Sequence, residues 1–161
     1  MSTDPGSAAT VKSLPAAALI AVDAWGDTPA ALARIGAALT DGWRTIRVEP
    51  TVWWFSGPLP DTGSALARIV EALGEDGAAT DLSGGFEQLE VSGPGWRTAL
   101  MFGGVFDAED PAFGVGATAG TLLHNTAVRY DVTRADAVEI YVAPSYAEDL
   151  LHHLSEAARA L

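Results

Sequence analysis

No cysteine occurs among the 161 residues, so disulfides, thiolate metal sites and thiol nucleophiles are all excluded. Positive charge is scarce. Nine Lys plus Arg stand against 21 Asp plus Glu, a formal net charge of −12, and the basic residues are scattered. A field of that sign repels phosphate, so no nucleic-acid partner is expected. No apolar run approaches the ~20 residues of a membrane helix, and no membrane partner is expected. The chain also lacks a GK[ST] phosphate loop, a GxSxG elbow and an HExxH pair, the spacings that would announce common catalytic or metal chemistry.

What is present suits a folded, acidic domain. Apolar residues make up 48% of the chain, too many for a solvated polyelectrolyte. The Ala-rich, Lys-poor usage is that of a GC-rich bacterial genome. Residues 1–13, rich in Ser, Thr, Gly and Ala, read as a disordered leader without the basic n-region of a signal peptide. Residues 14–161 read as a single domain, with the cytoplasm as its default location.

Ala16–Trp25 is an apolar run suited to a buried strand. GDTP follows, with Asp27 or Thr28 as helix cap and Pro29 in the first turn. Arg44–Phe55 reads as a second strand, dense in β-branched and aromatic residues and bulged at Pro50. A second helix follows Asp61 and Thr62. Its ALARIVEAL (65–73) matches the ALARIGAAL (31–39) of the first helix at seven of nine positions; the flanking strands do not match, so shared composition is preferred to duplication.

FEQLEV (86–91) and WRTALMF (96–102) read as a hairpin through SGPG, Val91 facing Trp96 and Leu89 facing Thr98. Residues 103–120, with five Gly, read as a mobile loop. Leu122–Val132 and Ala137–Val142 read as a hairpin whose apolar faces coincide only across an odd connection, 133–137. After Pro144 a final amphipathic helix is read, capped by Ser145, with Tyr146, Leu150, Leu151, Leu154, Ala157, Ala158 and Leu161 in its stripe. The predicted class is α+β: a mainly antiparallel sheet of about six strands with three helices, order β-α-β-α-β-β-β-β-α, in two layers.

Candidate site residues are few. His124 shares strand parity with Val128 and Tyr130, so it is predicted to point inward; it and Tyr130 are the candidate catalytic pair, with Thr126 as a further hydrogen-bonding group. The ordinary alternative, a core histidine bonded to a carbonyl or to the Tyr130 hydroxyl, is preferred. His152 and His153 lie about 100° apart on a helix and cannot both face one ion. GVGATAG (114–120) lacks the strand-before, helix-after setting of a dinucleotide loop. Asp107, Glu109 and Asp110 read as a solvated acidic loop and a candidate partner contact, without the spacing of a calcium loop. Trp53 and Trp54 point to opposite faces of a strand and are candidate ligand or partner contacts. No metal and no cofactor is expected.

The function this favours is a small acidic binding protein without catalytic activity, such as an inhibitor, immunity-type or accessory factor. Its partner would be a basic protein; a homodimer is also compatible. The competing reading is a small isomerase- or cyclase-type enzyme or ligand binder, with an apolar pocket at His124.

Overall fold

The computed structural model describes residues 8–161, and residues 1–7 of the expected leader lie outside them. The class is α+β with antiparallel strands, as the sequence predicts. Nine strands and four helices sort into two compact units. One takes Ala16–Gly85; the other takes the described residues up to Pro15 together with Phe86–Leu161.

The continuous unit runs β2 (Ala18–Ala24), α1 (Thr28–Ala38), β3 (Arg44–Arg47), β4 (Val52–Gly57), α2 (Thr62–Leu73) and β5 (Gly77–Asp81). Strand order is β3-β4-β2-β5. This β-α-β-β-α-β pattern is the split βαβ of ferredoxin-like folds. Asp27 caps α1, its carboxylate accepting from the Ala30 amide at 3.1 Å. Ile20, Val22 and Phe55 of the sheet pack on Ala31 and Ile35 of α1 and on Ala65, Ile69 and Leu73 of α2. The single strand expected over 44–55 is two. Val48 and Glu49 amides both bond to the Val52 carbonyl, at 2.9 and 3.0 Å, and fold the chain back at Pro50.

The discontinuous unit holds β1 (Thr10–Ser13), β6 (Glu87–Ser92), α3 (Trp96–Met101), β7 (Thr118–Leu123), β8 (Thr126–Arg134), β9 (Ala137–Val142) and α4 (Pro144–Arg159). Its sheet order is β1-β6-β9-β8-β7, antiparallel throughout. The predicted leader therefore supplies a strand: Val11 pairs with Val91 and Lys12 with Glu90. Leu89, Val91, Val128, Tyr130, Val138 and Ile140 form the sheet side of the core, with Leu150, Leu154 and Ala158 of α4 and Trp96, Ala99 and Leu100 of α3 against them.

The predicted hairpin 86–102 is corrected. WRTALM (Trp96–Met101) is helix α3 with Phe102 as its C-cap, and β6 pairs instead with β1 and β9. Trp96, Ala99 and Leu100 stand at i, i+3 and i+4, so a helix buries all three on one side where a strand would split them. Register in the last hairpin agrees with the parity argument. Val132 faces Val138, Tyr130 faces Ile140, and the odd residue is taken up by an irregularity between Val132 and Arg134. Ser145 does not cap α4: the N-cap is Ala143, and Tyr146 is exposed.

Candidate binding cleft at a histidine pair

The strand predicted across residues 122–132 is broken by a two-residue turn, His124–Asn125, joining β7 to β8. Both residues have positive φ, 47° and 60°, as the two central positions of a type I′ hairpin turn require. His124 is consequently exposed at the hairpin tip and does not point inward. Its amide donates to the Gly103 carbonyl at 2.9 Å, tying the turn to the end of α3.

Helix α4 brings His153 to the same place. The two imidazoles stack with centroids 4.0 Å apart and planes 28° from parallel. His153 Nε2 lies 3.0 Å from the Phe102 carbonyl. A carbonyl only accepts, so Nε2 carries the hydrogen, and in the neutral ring Nδ1 is left as an acceptor. Gly103 is required twice over here. Its φ is +78°, and a Cβ would stand 2.9 Å from His153 Nε2. A cleft of about 560 Å³ opens beside the pair, lined by His124, Asn125, Thr126, Tyr146, Asp149, Leu150, His152, His153 and Glu156. All three histidines of the chain therefore border one depression.

Stacked rings aim their in-plane lone pairs side by side, not at a common point. Among the described residues no group of three or more His, Asp or Glu side chains is placed to hold a metal ion. Thr126, the hydroxyl predicted nearby, has its Oγ1 3.5 Å from the His124 carbonyl.

The other predicted residues are placed elsewhere. Tyr130 is fully buried, edge-on to Phe106 with centroids 5.9 Å apart, and its hydroxyl has no hydrogen-bond partner among the described residues. Burial pushes its ionisation well above the ordinary value, which leaves it neutral. The inferred His124–Tyr130 pair is thus not formed. Asp107 and Asp110 cap their own turns: Asp107 Oδ1 accepts from the Glu109 amide at 3.0 Å, and Asp110 Oδ1 from the Ala112 amide at 2.8 Å. Trp53 lies on the helix side of its sheet, under the Arg47 guanidinium at 5.5 Å, and Trp54 is buried on the other face.

The loop that follows α3 is not the mobile segment expected from its glycines. Phe113 and Ala108 are buried, and Phe106 packs on the same core. Arg97 holds the loop down, donating to the Ala108 carbonyl and, at 2.7 Å, to the Phe113 carbonyl while lying 4.3 Å from the Trp96 ring. The hairpin expected over 86–102 sets Arg97 opposite Glu90; Glu90 pairs instead with Lys12 and Arg134, and the partners of Arg97 are backbone oxygens. The one available signal was a lone Arg beside a Trp at the start of an apolar helix stripe.

Comparison with known proteins adds what geometry does not. No curated protein matches the chain by sequence. Among solved structures, a chain of the heterotetrameric sarcosine oxidase from Corynebacterium sp. U-96 superposes with a TM-score of 0.82 at 20% identity, covering 96% of this chain and 86% of that one. Glycine cleavage system aminomethyltransferase T from Bartonella henselae gives 0.69 at 15%, covering 95% of this chain and 49% of that one. The regulatory subunit of aspartate kinase from Thermus thermophilus gives 0.63 at 17%, covering 92% and 97%. At such identities the likeness is one of fold. The family model "SoxG: Sarcosine oxidase, gamma subunit family" matches residues 7–160. That match overturns the self-standing inhibitor or immunity-type protein expected from charge, and the small isomerase or cyclase expected around His124. The chain belongs to the sarcosine oxidase gamma subunit family.

Proposed function

We propose that this chain works as the gamma-type subunit of a heterotetrameric sarcosine-oxidising enzyme, assembled in the cytoplasm and contributing binding surface rather than reacting groups. The observation that carries the reading is the family match over residues 7–160. Two further features support it. The fold likeness to a chain of a heterotetrameric sarcosine oxidase extends over 96% of the sequence. The expected catalytic pair, moreover, is kept apart: His124 sits at a hairpin tip against His153 of α4, while Tyr130 is sealed in the core. The net charge of −12 favours partner subunits that present basic residues to this one, since opposite potentials steer association.

Co-expression with the other oxidase subunits encoded in the same genome tests this. Native mass spectrometry should find one stoichiometric complex containing the chain, and the isolated chain should not oxidise sarcosine. A chain that stays alone, or self-associates in preference, overturns the reading.

A further inference from the structure

Four large apolar side chains stand in water together beside the histidine pair. Met101 and Phe102, at the end of α3, are 45% and 44% exposed, Val105 is 79% exposed and Leu122 of β7 is 48% exposed. Backbone bonds hold the segment that follows Phe102 against the end of β7. Val105 N donates to the Leu122 carbonyl at 3.5 Å, Gly104 bridges Leu123, and the His124 amide bonds to Gly103. Residues 102–105 span no more than about 11 Å. Leu122 is outward because Leu123 is buried, as strand alternation demands. Phe102 is fixed through its carbonyl by His153. The patch lies at the end of β7, the last strand in its sheet order, where residues 103–105 already cover the strand edge.

We infer that this patch is where another subunit of the oxidase assembly docks, and that the occupant presents an apolar centre ringed by Arg or Lys. The inference rests on the subunit reading above. Charge decides the partner's chemistry. Exposed Asp107, Glu109 and Asp110 follow Val105 along the chain, and Asp149 lines the cleft next to His153. No Lys or Arg lines that cleft. Arg97, the nearest basic residue in sequence, is turned inward onto the Ala108 and Phe113 carbonyls, and Arg129, which lies across Gly120 of β7, is outnumbered by the acidic residues. Glu156 in the cleft is paired with Arg159 on its own helix. A dry apolar centre with an acidic rim is ordinary interface anatomy, and the rigid hairpin lowers the ordering cost of docking.

The test measures affinity of the purified chain for the complex of the remaining subunits by biolayer interferometry. Phe102→Asp and Val105→Asp should each weaken binding by about 30-fold or more, as for a central contact. Val70→Asp, on the exposed side of α2, should stay within about 3-fold of wild type. Glu109→Gln with Asp149→Asn should slow association and flatten its salt dependence; Glu109 and Asp149 are chosen because Asp107 and Asp110 hold turns. Circular dichroism melts identical to wild type establish that the variants fold, and Phe102→Ser with Val105→Thr replaces any that does not. Folded patch variants that bind like wild type overturn the docking surface while leaving the subunit reading intact. A wild-type chain that binds no other subunit overturns the subunit reading, and the docking surface with it.

Discussion

Arg97 grips Phe113 at two points, donating to its carbonyl at 2.7 Å and lying 5.9 Å from its ring centroid. One guanidinium thereby closes the loop between α3 and β7 over the aromatic cluster of Trp96, Phe106, Phe113 and Tyr130.

Replacing Arg97 with Met should cost about 2–4 kcal/mol, because two carbonyls near the core lose charged donors. Urea denaturation measures the loss, and hydrogen exchange should rise across residues 104–117 more than in β8 or β9. Arg97→Lys should recover less than half, since an ammonium cannot span both carbonyls in one plane. Unchanged exchange in the loop contradicts this account.

Glu90 provides a pH dependence. It is buried between Lys12, 3.0 Å away, and Arg134, 3.2 Å away. Burial disfavours its charge, but the hydrogen bonds and charges of Lys12 and Arg134 outweigh that and hold the carboxyl below its ordinary 4.5. A carboxyl lowered by folding stabilises fully above its unfolded value, and the contribution disappears as pH falls through the lowered folded value. Glu90→Gln should therefore be less stable than wild type at pH 7 by about 1 kcal/mol, a modest figure because both cations are solvent-screened. The gap should close as pH is lowered below about 4.5. A gap that widens on acidification has the wrong sign.

The turn at His124 separates backbone strain from ring stacking. His124→Val places a β-branched residue at φ 47° and should cost about 1–2 kcal/mol more than His124→Gly, which loses the same stack on His153 but accepts the turn freely. Thermal melts of the two variants settle it. Equal stability means the hairpin does not require the left-handed conformation.

Ile35 and Ile69 occupy matching positions of the two ALARI segments, and both are fully buried under the same sheet. Truncation to Ala should cost about 2–5 kcal/mol at either position, with the two values agreeing within about 1 kcal/mol. A large asymmetry in chemical denaturation shows that the matching sequences do not fill matching environments.

Legibility along the chain followed how local each decision was. Asp27 was readable as a cap because its acceptor and the Ala30 amide are three residues apart. The β8–β9 register was readable because Val128, Tyr130 and Val132 must share a face with Val138, Ile140 and Val142. WRTALMF was not, since seven apolar-rich residues satisfy both a strand and one face of a short helix. His124 misled for a different reason. Parity counting assumes an unbroken strand, and histidine seldom signals a positive-φ turn as glycine does.

The fold class, helices α1, α2 and α4 and the acidity follow from composition and short-range periodicity, which each segment carries within itself. The site does not. Stacking of His124 on His153, capture of the 103–117 loop by Arg97 and the ion pairs of Glu90 join residues that are 11 to 78 positions apart. Such contacts arise when β1 and β9 claim the two sides of β6 and α4 packs on the sheet, because only closure of the whole core brings those side chains within reach.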